Sequence, residues 1–236
     1  MYSHPPETEL TDVGLVVAAA GAGRRFGTDR NKLLCDLRNR PLFIHCLCTL
    51  APHFVPAHVV LVTPPNEDDA FERALTEANL PAGIRRVPGG STRTESVIRG
   101  LEALPPSVRI AAIQDAARPD TTLAILLECV ASSRKNGSGV AAHRVTDTVK
   151  IADPDGRVRS TPARSSLWAA ETPQVFRMPD ILDACRQALR DNAAITDDAQ
   201  ALERLNRPVH LVENTTPNPK ITFQHDIPDF GLQETA

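Results

Sequence analysis

The 236-residue sequence is poor in the features that mark several classes of protein. Aromatic residues make up only 4%, so the core must be built mainly from Val, Leu, Ile and Ala. The formal net charge is −3, and the lack of excess positive charge argues against binding to nucleic acid or to an anionic membrane surface. No apolar run approaches the roughly 20 residues that span a bilayer. We therefore expect neither nucleic acid nor a membrane as a partner.

Zinc-binding and targeting motifs are also lacking. The five cysteines show no CxxC spacing, and the seven histidines show no HxH or HExxH spacing. An odd number of cysteines without such spacing is typical of reduced, mostly buried thiols, and it predicts a cytoplasmic protein. Residues 1–12 have neither the basic nor the apolar region of a signal peptide, so they are predicted to be a flexible leader.

What the sequence does contain is an alternation of apolar and amphipathic segments. Strand-like runs cover 14–21, 58–65, 83–90, 108–119 and 138–151, and helix-like segments cover 41–52, 66–80, 91–104 and 122–137. This order predicts an α/β fold with a Rossmann-like, mostly parallel sheet and helices on both of its faces. Thr92 and Glu95 have the spacing of a capping box, and Gly137 is placed to end the fourth helix. Sheets of this kind bind ligands at the carboxyl ends of their strands.

The pattern changes after residue 145. The turn signal DPDGR separates two short β-favouring stretches, which predicts a protruding β-hairpin arm at about residues 144–168. A two-stranded ribbon buries too little surface to be stable alone, so we expect the arm to pack on another subunit. Two helices (178–193 and 196–206, the second with Thr196 as N-cap) and a strand (208–214) follow. Residues 13–236 are expected to form a single domain.

A glycine-rich turn, AAAGAGRRFG (18–27), follows the first strand. Three residues separate its second and third glycines, so it lacks the G-x-G-x-x-G spacing of a dinucleotide site, and Thr28 after Gly27 excludes a Walker A motif. Small residues let phosphate oxygens reach backbone N–H groups, and three nearby cations, Arg24, Arg25 and Lys32, would neutralise a polyphosphate. The alternative is a surface turn with solvated arginines.

Further candidate residues follow the later strands. Gly90 and Ser96 belong to a second glycine turn, which could bind the edge of a base. Asp115 and Arg118 end the fourth strand, where a carboxylate beside a triphosphate would need Mg²⁺ or a hydroxyl donor between them. Lys220 lies on a late strand edge. Each residue also has a structural alternative: an ordinary turn, a local Asp115–Arg118 ion pair, or a solvated lysine.

Taken together and in order, these motifs resemble the 2-C-methyl-D-erythritol 4-phosphate cytidylyltransferases of nonmevalonate isoprenoid synthesis. The motifs are AAAGAGRR followed by a lysine, GGSTRTESV, DAARP, DTVK, RSSLWAAETPQVF, ITDDAQALE and NPKIT, and they extend from about Gly14 to Phe230. The glycine loop alone recurs in nucleotide-sugar pyrophosphorylases, whereas DAARP with RSSLWAAETPQ points to this family. The resemblance implies a nucleotidyltransferase fold and an enzyme that joins CTP to methylerythritol phosphate with Mg²⁺, releasing pyrophosphate.

The resemblance also implies roles for individual residues. The nucleotide would be bound by Ala19, Ala20, Gly21, Gly23, Arg24, Gly90, Ser91 and Ser96. The catalytic residues would be Arg25, Lys32, Lys220 and Arg164. The polyol phosphate would be bound by Asp115, Arg118, Thr148, Arg164, Thr172 and Thr196, with Asp115 contacting hydroxyl groups or the metal. Thr148 and Arg164 lie on the arm and would reach the partner subunit's site, which implies a homodimer.

Two alternatives to this activity remain open. One is a ribitol 5-phosphate cytidylyltransferase, which would share the architecture but use a different polyol. The other is a catalytically silent nucleotide-binding protein, against which the presence of Arg25, Lys32 and Lys220 argues. Positions that depart from the family pattern are Ala18, Asn31, Leu33, Ser91 and Pro219.

Overall fold

The structure, a computed structural model, describes residues 10–21, 26, 31–66 and 68–227. Three of the predicted site residues, Gly23, Arg24 and Arg25, lie outside the described residues. Leu10 is buried and Asp12 forms a 2.6 Å ion pair with Arg134, so the packed domain already includes residues that were predicted to belong to the leader.

The described residues contain helices and strands in the alternating order that the sequence predicts. The helices are α1 (Leu42–Leu50), α2 (Asp68–Glu77), α3 (Arg93–Glu102), α4 (Leu123–Asn136), α5 (Met178–Arg190) and α6 (Ala199–Arg204). The strands are β1 (Val13–Ala18), β2 (Asp36–Leu37), β3 (Arg40–Pro41), β4 (Val59–Thr63), β5 (Arg85–Pro88), β6 (Ile110–Asp115), β7 (Ser138–Arg144), β8 (Ile151–Ala152), β9 (Val158–Ser160), β10 (Trp168–Arg177) and β11 (Leu211–Glu213).

Within the described part of the chain, seven strands form one sheet in the order β11-β7-β10-β6-β1-β4-β5. Strand β1 pairs in parallel with β4 and β6, and the β4–β5 and β11–β7 pairs are also parallel. The predicted mostly parallel sheet is therefore confirmed. Strand β10 is the exception, because it runs antiparallel to both β6 and β7.

Strand β10 was not predicted. Its sequence, WAAETPQVFR, carries a proline and polar residues where a buried strand normally shows an apolar run. Its ladder to β7 is interrupted between Ala170 and Gln174, and the polar residues Glu171 and Thr172 lie in this interruption.

Helices cover both faces of the sheet, as predicted. In β1, Leu15 and Val17 belong to one apolar core and Val16 to the other, because successive side chains of a strand point to opposite faces. Residues of α1 and α4 pack in the first core, and residues of α3 and α5 in the second.

The helix ends show which predicted caps form. Thr92 accepts the N–H of Glu95 at 3.1 Å, whereas the Glu95 carboxylate accepts the N–H of Ser91, one residue before the cap. Gly137 ends α4 with a φ of 91°, as predicted, since glycine adopts the left-handed conformation without strain.

The prediction that Thr196 caps a helix is wrong. Helix α6 begins at Ala199 with Asp198 in the N-cap position. The backbone N–H of Thr196 is instead satisfied by the side chain of Gln200, which lies 2.7 Å away.

The predicted β-hairpin is formed by β8 and β9. Three of its apolar side chains are exposed in the single chain: Val149 (38%), Ile151 (51%) and Val158 (53%). Among the helices of the described ranges, none is long and apolar enough to cross a membrane. The five cysteines, all within the described ranges, form no disulfide.

Candidate active site

A cavity of about 510 Å³ lies where β1 and β6 end. Ala18, the last residue of β1, is paired with Asp115, the last residue of β6, so both residues reach the same edge of the sheet. One side of the cavity is formed by the second glycine turn and by Arg93, the first residue of α3. The cavity is lined by Ala18, Ala20, Gly21, Lys32, Leu33, Gly90, Ser91, Thr92, Arg93, Ser96, Asp115, Ala117, Lys220 and Thr222. The cavity therefore lies at the edge of the sheet where the sequence predicts ligand binding.

The second glycine turn lies against Ala20 on one wall of this cavity. Gly89 is so close to Ala20 that a Cβ atom there would overlap the Ala20 side chain, which explains the need for glycine. The N–H of Gly90 donates to Ser96 Oγ at 3.0 Å, and Ser96 Oγ donates to the Thr92 carbonyl at 2.8 Å. Ser96 thus fixes the turn through these two hydrogen bonds, and the backbone of the turn stays close to Ala20.

Asp115 is the centre of a charged cluster inside the cavity. Its Oδ2 atom lies 2.6 Å from Lys220 Nζ, and its Oδ1 atom lies 3.4 Å from Arg93 Nη2. Arg118 Nε lies 3.9 Å away from the same carboxylate. Burial alone would raise the pKa of Asp115, but the positive charges of Arg93, Lys220 and Arg118 outweigh it and lower the pKa to about 2. The carboxylate is therefore ionised at any physiological pH.

Arg93 and Asp198 are site residues that sequence reasoning missed. Both guanidinium Nη atoms of Arg93 donate to the two carboxylate oxygens of Asp198, each at 2.7 Å, and Asp198 is completely buried. This bidentate pair joins the start of α3 to the segment before α6. Both residues belong to motifs that we recognised, but nothing in the local sequence indicates a pair between residues 105 positions apart.

Lys32 lines the cavity beside residues 220–222. Its Nζ atom donates to the Ile221 carbonyl at 2.7 Å. Lys32 begins a short 3-10 helix, and the side chain of Asn31 caps this helix by accepting the N–H of Leu33 at 3.0 Å. Asn31 and Leu33 depart from the family pattern, yet together they hold the lysine, since Asn31 supplies a cap and Leu33 is buried in the core.

Three of the predicted contact residues lie behind the cavity rather than in its lining. Thr172 is buried, and its Oγ1 atom accepts the N–H of Asp115 at 3.0 Å. Arg118 donates to the Asn218 carbonyl at 2.6 Å. The N–H of Ala19 donates to the Val62 carbonyl. These residues hold the cavity wall in place.

The remaining predicted residues lie away from the cavity of the same chain. Thr148 and Arg164 are exposed on the arm, where Arg164 donates to the Thr146 carbonyl at 2.9 Å. Thr196 is exposed in the segment before α6. Their contact with substrate stays a prediction.

Sequence comparison finds relatives over nearly the whole chain. The profile of a family described as 2-C-methyl-D-erythritol 4-phosphate cytidylyltransferase matches residues 13–230. A protein with this description from Pelotomaculum thermopropionicum is 39% identical over 222 residues, which is 92% of both chains. A second, from Trichormus variabilis, is 36% identical over 214 residues, covering 90% of this chain and 93% of its own length.

Solved structures of similar proteins share the fold. A 4-diphosphocytidyl-2C-methyl-D-erythritol synthase from Anaerococcus prevotii has a TM-score of 0.80 at 29% identity, covering 92% of this chain and 95% of its own. A 2-C-methyl-D-erythritol 4-phosphate cytidylyltransferase from Thermus thermophilus has a TM-score of 0.74 at 25% identity, covering 93% and 97%.

Proposed function

The chain belongs to the 2-C-methyl-D-erythritol 4-phosphate cytidylyltransferase family, and we propose that it joins CTP to 2-C-methyl-D-erythritol 4-phosphate in isoprenoid precursor synthesis. The products are CDP-methylerythritol and pyrophosphate. The observation that carries the proposal is the cavity at the strand ends, where Lys32, Lys220 and Arg93 line a space bounded by residues 20–21 and by the second glycine turn. A cavity lined by cations, in which small residues let phosphate oxygens reach the backbone N–H groups, suits a nucleoside triphosphate.

The reaction needs little covalent work from the protein. An oxygen of the substrate phosphate attacks the α-phosphorus of CTP, a new P–O bond forms, and the bond to the leaving pyrophosphate breaks. A phosphate monoester has a second pKa of about 6, so it is largely a dianion at neutral pH and needs no general base. Catalysis then consists of positioning and charge stabilisation. Lys32 would stabilise the charge that builds at the α-phosphate, and Lys220 would orient the attacking phosphate.

The ion pair between Asp115 and Lys220 gives both residues a role before substrate binds. Asp115 holds the ammonium group of Lys220 at 2.6 Å, so the lysine is oriented in advance. The three cations around Asp115 offset its negative charge, which would otherwise repel the triphosphate. Its oxygens are also the acceptors that the hydroxyl groups of a polyol require.

The residues do not fit a magnesium site built from protein ligands. Across the part of the chain that the structure describes, no group of three metal-ligating side chains occurs. Both oxygens of Asp115 face cations, namely Lys220 and Arg93. We propose that the Mg²⁺ implied by the family enters with the phosphates of CTP. A test is to vary Mg²⁺ at fixed CTP, with the expectation that the rate follows the concentration of the Mg–CTP complex.

We also propose that the enzyme works as a homodimer, with the arm of one subunit placed at the site of its partner. The support is the exposure of Ile151 and Val158 on a hairpin whose residues belong to neither apolar core of the described chain, together with a predicted substrate residue, Arg164, beside it. Replacing Ile151 with Asp is expected to shift the protein from dimer to monomer in sedimentation velocity and to lower activity. Leu189→Asp, at an exposed residue of α5 (41%), serves as the matched control. Equal association of both variants would contradict the arm's role.

We propose that the protein is cytoplasmic, because cysteines that form no disulfide are typical of a reducing compartment. Buried cysteines such as Cys46 and Cys129 pack in the core as small apolar side chains.

Pyrophosphate release tests the proposed activity directly. The purified chain is incubated with CTP and either 2-C-methyl-D-erythritol 4-phosphate or ribitol 5-phosphate. We expect release that depends on the methylerythritol phosphate, with far lower kcat/KM for the ribitol phosphate. Preference for ribitol 5-phosphate would replace the proposed substrate, and CTP binding without release from either would indicate a silent nucleotide-binding protein.

A further inference from the structure

Glu171 is a buried carboxylate outside the cavity, in the interrupted part of β10. It is only 4% exposed. Its Oε1 atom lies 2.6 Å from His143 Nδ1, and its Oε2 atom accepts from the side-chain amides of Asn214 at 2.8 Å and Asn218 at 3.0 Å. A buried carboxylate is costly unless its oxygens are hydrogen-bonded, and these partners satisfy both oxygens.

Asn218 connects this carboxylate to the segment that contains Lys220. Besides Glu171, its side-chain amide donates to the Thr172 carbonyl at 2.9 Å, and its own Oδ1 atom accepts from Thr121 at 2.9 Å. Lys220 follows two residues later and bonds to Asp115, whose N–H donates to Thr172 Oγ1. The side chain of Glu171 thus holds Asn218, and its neighbour Thr172 holds Asp115.

We propose that Glu171 is a positioning residue that fixes Lys220 against Asp115 through Asn218, a role that rests on the proposed function. A single oxygen of Glu171, Oε2, accepts from both asparagine amides, so this side chain ties residues 214 and 218 to β10. Without it, the buried amides of Asn214 and Asn218 would each lose an acceptor. The side chain of Asn218 would keep its bonds to the Thr172 carbonyl and to Thr121, but the segment would be held less firmly. Lys220 would then lose its place in the cavity.

The conservative replacement is Glu171→Gln. Its carbonyl oxygen can accept from both asparagine amides. Its amide group can donate to His143 Nδ1 when the proton of the neutral imidazole is on Nε2. Glu171→Ala removes every acceptor. Glu171→Gln therefore tests the loss of one acceptor oxygen in a side chain of the same size, whereas Glu171→Ala tests the loss of both acceptor oxygens together with the side chain.

The experiment measures steady-state pyrophosphate release and backbone hydrogen exchange of residues 214–222 in the full-length protein. For Glu171→Ala we expect kcat to fall about 10- to 100-fold, as for a catalytic group displaced by about 1 Å, with KM for CTP little changed. Glu171→Gln should recover most of that loss. Exchange in residues 214–222 should be faster in the alanine variant, since the Ile221 N–H donates to the Ala117 carbonyl only while the segment is in place. Glu213→Ala, which removes an exposed carboxylate at the end of β11, should leave all quantities unchanged.

Three results would overturn the inference: wild-type kcat in a folded Glu171→Ala variant, equal loss in the alanine and glutamine variants, or a rise in KM for CTP as large as the fall in kcat. If Glu171→Ala fails to fold, Glu171→Gln together with Asn218→Ala provides the same comparison, and a wild-type kcat in Asn218→Ala would refute the connection. Lack of pyrophosphate release by the wild-type protein would refute the proposed function alone. The exchange measurement then still decides whether Glu171 holds the segment of Lys220.

Discussion

Replacing Asp115 with asparagine is expected to destabilise the free protein by about 2–3 kcal/mol at neutral pH. The value follows from the pKa of Asp115, which falls from an ordinary value of 3.8 to about 2 in the folded chain, since each unit is worth about 1.4 kcal/mol. Asparagine keeps the size of the side chain but removes the charge that Lys220, Arg93 and Arg118 stabilise. Lys220 loses its carboxylate partner, whereas Arg93 keeps Asp198.

The stabilisation that Asp115 contributes should depend on pH. Because the pKa of Asp115 is lower in the folded protein than in the unfolded chain, the carboxylate stabilises the fold fully above about pH 4, and this stabilisation is lost as the pH falls towards 2. The difference in free energy of unfolding between wild type and Asp115→Asn should therefore be largest near neutral pH and shrink on acidification.

Urea unfolding followed by circular dichroism, at several pH values from neutral to about pH 3, measures this difference. Asp120→Asn is the control, because Asp120 forms a more exposed ion pair with Arg38 and such pairs contribute about 0–1 kcal/mol. Equal stability of wild type and Asp115→Asn at neutral pH would refute the reasoning, and so would a difference that stays constant on acidification. The variant should also bind CTP at least as tightly as the wild type, since a negative charge has left the cavity, while its kcat falls.

Three further predictions concern single groups. Lys32→Ala should lower kcat for pyrophosphate release by roughly 10²–10³-fold through loss of a transition-state donor, whereas Lys135→Ala, at an exposed lysine near the end of α4, should not change it. Arg164→Ala should chiefly raise KM for the polyol phosphate, and an effect confined to CTP would show that the arm has another role. Burial raises the thiol pKa of three cysteines, to about 12 for Cys46, so rapid labelling by a disulfide reagent near pH 8 should be limited to two thiols until the protein is denatured. Mass spectrometry of the native protein should find the label on Cys35 and Cys48, and equally fast labelling of a buried thiol would contradict the packing. The protected thiols are Cys46, Cys129 and Cys185.

Local sequence patterns predicted most of the sheet, since they depend on neighbouring residues. Val13–Ala18 and Val59–Thr63 are apolar runs bounded by turn residues, and they form parallel strands with helices between them. Strand β10 escaped prediction because its buried polar residues are satisfied by partners far along the chain: Gln174, for example, donates to Asp197 and accepts from the N–H groups of Asp198 and Ala199. A strand whose polar groups are satisfied only by tertiary contacts does not show the apolar pattern by which buried strands are recognised.

Some residues of the candidate site can be predicted from the sequence and others cannot, and the two groups act differently. Lys32, Asp115 and Lys220 follow motifs whose chemistry can be inferred from residue type and position, whereas Arg93, Asp198 and Glu171 matter through pairs that only the fold creates. Arg93 joins the carboxylate of Asp115 to that of Asp198, and Glu171 reaches Lys220 through Asn218. The Asp115–Lys220 pair is thus held from α3 on one side and from β10 on the other. A substitution on either side should therefore displace the same ion pair, so the effects of Arg93 and Glu171 variants on kcat should be less than additive when the two are combined.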